Sequence, residues 1–239
     1  CKMKLKSGSI SSNDLMFAVF CFLQATILRT GYIAGITRQD SWAMAVTGLI
    51  VTLPIVAIYA SLLQKFPGKN LIEINDIIYG SILGKVVSAL YLFFFLSLAA
   101  LNSRDMGNFI VYFSMPNTPI SVIILISLIG CAYCIHKGIE NLIYLSTLLF
   151  IIAMGSLAIN VVLGLKDVRL EFLKPFFQLE PMKYIQGTVS VAAVPMGEIL
   201  AFTMITPMLG KDQKVAKPLF LGLILSAASM AVIMLRDIL

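Results

Sequence analysis

Residues 189–207 read VSVAAVPMGEILAFTMITP, an apolar stretch holding one carboxylate, Glu198, close to Pro195, Gly197 and Pro207. A charged side chain at membrane depth is costly unless it faces protein or a water-filled cavity. Proline removes a backbone donor and glycine loosens the chain. The run therefore reads as a helix interrupted near its centre, with peptide groups left open to a polar partner.

The rest of the chain fixes the solvent as lipid. Of its 239 residues, 59% are hydrophobic and 13% charged, too little polar sequence to surround buried helices with a water-facing surface. Five stretches carry no charge: Ser41–Gln64, Val86–Ser103, Met106–Ile135, Asn141–Leu165 and Pro218–Leu235. Each can cross a hydrocarbon core of about 30 Å at about 1.5 Å per residue. With Leu15–Ile36 and the quoted run, which each contain a charge, they make seven expected crossings of an all-α, polytopic membrane protein.

The net charge of +6 does not point to nucleic acid, because the lysines and arginines fall into short connectors as juxtamembrane residues do. Cys21, Cys131 and Cys134 lie inside apolar segments and read as packing residues rather than a disulfide framework or metal site. No cofactor is expected. Lys2, Lys4 and Lys6 resemble a signal n-region, but the polar run Ser7–Asp14 separates them from the apolar segment, so a retained first helix is expected.

Ser12 or Asn13 is expected to cap that helix, with Asp14 in its first turn. Past Leu28 it meets Arg29, Thr30, Gly31 and Gly35 before the water boundary at Arg38-Gln39-Asp40. Two readings stay open, a discontinuous helix or a polar-ended one. Trp42 suits the interface at the start of the second helix, Pro54 kinks it, and Phe66-Pro67-Gly68 turns the chain. Leu71, Ile74, Ile77 and Ile78 recur opposite Glu73 and Asp76, the pattern of a short amphipathic helix on the membrane surface.

The third crossing is expected from about Gly84 to Asn102. After it, Arg104 and Asp105 can pair, snorkel outward, or continue the helix into a protein-lined vestibule. The fourth closes near His136-Lys137-Gly138, and the fifth runs from Glu140 to Gly164. Lys166–Lys183 is a long, partly amphipathic connector, and Lys217-Pro218 opens the last helix. Counting Lys and Arg in alternate connectors favours an inner N-terminus.

Motifs for hydrolysis or phosphate handling are absent, and a single histidine leaves few means of activating a nucleophile. An enzyme is not expected. The unusual features are the interrupted segments one and six, five crossings apart. Transporters built from inverted repeats bind substrate where two discontinuous helices meet at the midplane. Helix ends there offer N–H groups to a carboxylate and C=O groups to an ammonium. The candidate ligand-binding residues are Thr26, Thr30 and Gly31 in the first segment and Pro195, Gly197 and Glu198 in the sixth. Glu198 has Arg29, Lys183 or a segment beyond this sequence as candidate partners. Residues 1–239 form one transmembrane domain, with residues 10–165 as a first five-helix repeat and 184–239 as the start of an incomplete second.

Several blocks also resemble a known family. Gln39-Asp40-Ser41-Trp42, Lys65-Phe66-Pro67-Gly68-Lys69-Asn70-Leu71-Ile72-Glu73, Arg104-Asp105-Met106-Gly107-Asn108-Phe109-Ile110, Lys137-Gly138-Ile139-Glu140 and Pro175-Phe176 are similar to the B subunits of bacterial spore germinant receptors. The resemblance runs from about Ile10 to the last residue. It implies a partial inverted-repeat fold of the LeuT-like, amino acid–polyamine–organocation permease type. It also implies a place in the spore inner membrane beside a receptor A subunit and a lipoprotein C subunit, and recognition of a small nutrient such as an amino acid to start germination. Two other readings remain: a proton-coupled amino acid transporter and a non-binding structural subunit. Family members have about ten crossings, so three are expected to be missing from this sequence.

Overall fold

The computed structural model describes residues 10–25, 30–164, 166, 168–209 and 215–239. Its helices are α1 (Ser12–Ala25), α2 (Thr30–Thr37), α3 (Ser41–Lys65), α4 (Leu71–Phe113), α5 (Ile120–Lys137), α6 (Ile139–Gly164), α7 (Pro181–Ala193) and α8 (Ala216–Ile238). Short 3-10 turns cover Arg38–Asp40 and Leu170–Leu173, and a longer 3-10 segment, Met196–Met204, follows α7. Among the described residues, six helical stretches are long and apolar enough to cross a membrane, and Ser12–Ala25 is a shorter apolar helix. The protein is an all-α, polytopic integral membrane protein.

The first expected crossing consists of α1 and α2 in its described parts, each too short to cross alone. The residues that would decide between a broken and a continuous segment, 26–29, lie outside the described residues. The cap of α1 is Ser11, one residue earlier than expected. Its Oγ accepts from Asp14 N–H at 3.2 Å, while Asp14 Oδ2 accepts from Ser11 N–H and Oγ–H at 3.1 and 2.6 Å.

The Leu71–Ile78 pattern does form a helix, and Gly80 ends it with φ 77°. That backbone region is open to glycine at little steric cost. Leu71, Ile74 and Asn75 are buried, and Asn75 Nδ2–H donates to Ser88 Oγ at 3.3 Å. The short helix thus folds back on the next one while Ile77, Ile78 and Tyr79 stay exposed. Beyond the kink, α4 does not stop at Asn102 but runs through Arg104 and Asp105 to Phe113. Nothing in Asn102–Asp105 breaks a helix, and the first strong stop signals are Pro116 and Pro119.

α1, α3, α7 and α8 make the packed centre, with α3 and α1 both lying along α8 and α3 along α7. Leu15, Val19, Leu23, Met44, Val56, Leu223 and Met230 fill it. Lipid tails are as apolar as these side chains, so close packing rather than water exclusion holds the helices together. Small residues permit that approach: Gly222 faces Val19 and Met16, and Gly48 faces Val191. Gln24 Nε2–H adds a polar tie, donating to Ser226 O and Ser226 Oγ at 3.1 Å each and to Ser229 Oγ. α5 and α6 bury few residues, Ile123, Ile143 and Ser146, and present broad apolar faces outward.

Candidate functional site

α7 ends at Ala193, and Val194 is extended (φ −145°, ψ 112°) before a cis Val194–Pro195 bond and the 3-10 segment. The sixth crossing is therefore interrupted where the proline and glycine suggested. Pro195 and Met196 are buried, and Glu198 is 0% exposed. Gly197 sits where a Cβ would lie 2.9 Å from Ala192 O. A side chain there would push against backbone, so the turn closes this tightly only with glycine.

Glu198 N–H donates to Pro195 O at 3.1 Å, and its Oε2 accepts from Asn102 Nδ2–H at 3.3 Å. The carboxylate lies in the first turn of the 3-10 segment, where helix N–H groups favour negative charge. Arg29 lies outside the described residues, and Lys183 belongs to the first turn of α7. Among the described residues, the hydrogen-bond partner seen is an amide on the third crossing, that of Asn102. An amide can donate to a buried carboxylate at lower desolvation cost than a second buried charge.

The first segment reaches this place through α1. The rings of Phe22 and Phe202 meet edge to face at 5.4 Å, and Ile10 forms an isolated backbone bridge with Leu209. The first and sixth segments are thus in contact. Of the first-segment candidates, Thr26 lies outside the described residues and Thr30 opens α2. Gly31 is exposed, and a Cβ there would meet nothing within 4 Å. Pro195, Gly197 and Glu198 are brought together; Gly31 does not join them in a packed cluster.

Two functional features escaped the sequence. Asn102 was read as a helix end, although an amide between apolar turns of a lipid-depth helix was a usable signal. Asp40 was read as a water boundary, yet it is 0% exposed. Its Oδ2 accepts from Phe177 N–H at 3.0 Å and from Tyr184 Oη–H at 2.8 Å, while Gln39 Nε2–H donates to Pro175 O at 2.7 Å. This clasp holds the 168–180 connector and α7 against the start of α3. Asp40 Oδ1, Ser41 Oγ and Trp42 Nε1 are buried with no hydrogen-bond partner among the described residues.

A family model described as a spore germination protein, the spore permease model, matches residues 9–239. This chain belongs to that family. Its relatives include spore germination protein KB of Bacillus subtilis (strain 168), 27% identical over 92% of this chain and 58% of the relative. Spore germination protein B2 of the same organism is 23% identical over 58% of this chain and 38% of the relative. Spore germination protein YndE, also of that organism, is 26% identical over 77% of this chain and 61% of the relative. The chain thus spans about three-fifths or less of the length of these curated relatives. No solved structure matches.

Proposed function

We propose that this chain is the permease-like membrane part of a nutrient germinant receptor and binds a small ligand of the amino acid type. The reading includes a LeuT-like inverted-repeat arrangement, with residues 10–165 as the first repeat and 184–239 opening the second. It places the chain in the spore inner membrane with a receptor A subunit and a lipoprotein C subunit as partners.

One observation carries it: a fully buried carboxylate, Glu198, at the interruption of the sixth crossing, against which α1 of the first crossing packs. Such a site can meet an ammonium with a carboxylate and carbonyl groups, and a carboxyl group with peptide N–H groups. Membership of a spore germination family and the apolar helices support the setting.

The test is binding of a panel of small amino acids to the full-length protein in its receptor complex, with and without Glu198→Gln. Specific binding stabilises the bound state and raises the thermal transition. If Glu198→Gln changes neither binding nor the nutrient response, the site is wrong. Proton-coupled transport is the second reading, favoured by a carboxylate at lipid depth. Robust uptake into proteoliposomes under a pH gradient would select it over sensing.

A further inference from the structure

The connector between α6 and α7 is tied to the bundle by a closed ring of hydrogen bonds. Asp40 Oδ2 accepts from Phe177 N–H and Tyr184 Oη–H, and Tyr184 Oη accepts in turn from Leu179 N–H at 3.0 Å. The ring is strained on both sides. Arg38, two residues before Asp40, has φ 49°, and Phe177 has φ 53°. Residues other than glycine adopt this left-handed region only at a cost, and bulky ones do so rarely. Such outliers persist where surrounding contacts hold them, and they gather at clamps and switches. Beside them, Asp40 Oδ1, Ser41 Oγ and Trp42 Nε1 are buried with no hydrogen-bond partner among the described residues. Buried polar groups left in this way favour any arrangement that lets water reach them. Phe172, Phe176 and Phe177 are exposed, so ring burial adds little to holding the connector closed.

α7 carries the far side of this ring, because Tyr184 lies near its start. About one turn on, a Cβ at Gly187 would lie 2.7 Å from Thr37 Cγ2 and 2.9 Å from Met44 Sδ. The backbone of α7 therefore presses on the end of α2 and the start of α3 at that point. From Gly187 the chain runs about 10 Å further to Val194, where the crossing is interrupted ahead of Glu198. We propose that the clasp is a strained latch and that α7 is the lever it works. Closed, the latch fixes the backbone from Val194 to Glu198; open, it lets α7 pivot at Gly187 and loosens that backbone. Latch and interruption are then two ends of one equilibrium, and their coupling is reciprocal. This coupling holds whatever Glu198 binds, so it stands or falls apart from the ligand reading above.

The experiment is amide exchange on the full-length protein in lipid nanodiscs, with no ligand added. Mass spectrometry reads it over residues 175–180, the latch, and over residues 192–200, the interruption. Arg38 is exposed, so substitutions there change backbone preference without disturbing packing. Glycine takes φ 49° at little cost, whereas a β-branched residue takes it at a high one. Arg38→Gly is expected to slow exchange about threefold to tenfold in both stretches, and Arg38→Val to speed it by about as much. Asp40→Asn is expected to speed exchange in both stretches as well. In the reverse direction, Gly197→Ala, whose Cβ would lie 2.9 Å from Ala192 O, is expected to speed exchange at Phe177 about threefold or more. Arg38→Gly and Arg38→Val that shift the latch in the same direction, or not at all, overturn the strain. A latch that responds to Arg38 while residues 192–200 stay within about twofold of wild type overturns the lever. So does an unchanged Phe177 amide in Gly197→Ala. Should Asp40→Asn fail to fold, the Arg38 pair and Gly197→Ala still decide.

Discussion

Replacing Asp40 by alanine removes the acceptor that ties the connector to the bundle. Two donors, Phe177 N–H and Tyr184 Oη–H, lose a carboxylate partner at 3.0 and 2.8 Å. A hydrogen bond to a charged group contributes about 1.5–3 kcal/mol. Against that, the buried carboxylate has one oxygen with no hydrogen-bond partner among the described residues, and its desolvation offsets part of the gain. The net loss for the local clasp is about 2–4 kcal/mol, whereas Asp40→Asn keeps an acceptor oxygen and costs about 1–2 kcal/mol. Local opening governs amide exchange, so the Phe177 amide is expected to exchange about 30-fold to several hundred-fold faster in Asp40→Ala. A double-mutant cycle with Tyr184→Phe is expected to give a coupling of about 1–2 kcal/mol. Trp42, the chain's single tryptophan, reports the same event through its fluorescence. Hydrogen exchange in nanodiscs, read at Phe177 by mass spectrometry, is the assay. Protection within threefold of wild type in Asp40→Ala would refute the clasp.

Asn102→Leu withdraws the donor from buried Glu198 and is expected to cost about 1–3 kcal/mol in detergent unfolding, with weaker ligand binding alongside. Gly222→Val drives a side chain into Val19, whose Cγ1 is already 2.7 Å from an added Cβ; a loss of about 1–3 kcal/mol is expected from overpacking, measured by the same unfolding. Gly197→Ala, aimed 2.9 Å from Ala192 O, is expected to move the backbone before Glu198, lowering ligand affinity more than the unfolding midpoint. Gly31→Ala adds a Cβ that meets no described atom within 4 Å and is expected to unfold within about 0.5 kcal/mol of wild type; a larger loss would place Gly31 in a packed contact.

Much of this architecture was written in residue order. Apolar runs longer than a bilayer, punctuated by Phe66-Pro67-Gly68, His136-Lys137-Gly138 and Lys217-Pro218, mark α3, α5 and α8 because lipid admits only helices whose backbone bonds close within the segment. The interruption at Val194–Pro195 was legible for the same local reason, a missing N–H beside glycine. The end of α4 was misplaced because Arg104 and Asp105 look like a water boundary in sequence, while the helix itself feels only backbone propensity and carries them onward.

Which side chains meet was decided by tertiary structure alone. Glu198 and Asn102 are 96 residues apart, and Asp40 and Tyr184 are 144 apart. Membrane depth and polarity can be read from neighbours along the chain, because each residue's transfer cost is its own. A hydrogen bond between crossings depends on helix rotation and packing angle, and those follow from the fit of whole faces such as α1 and α3 on α8.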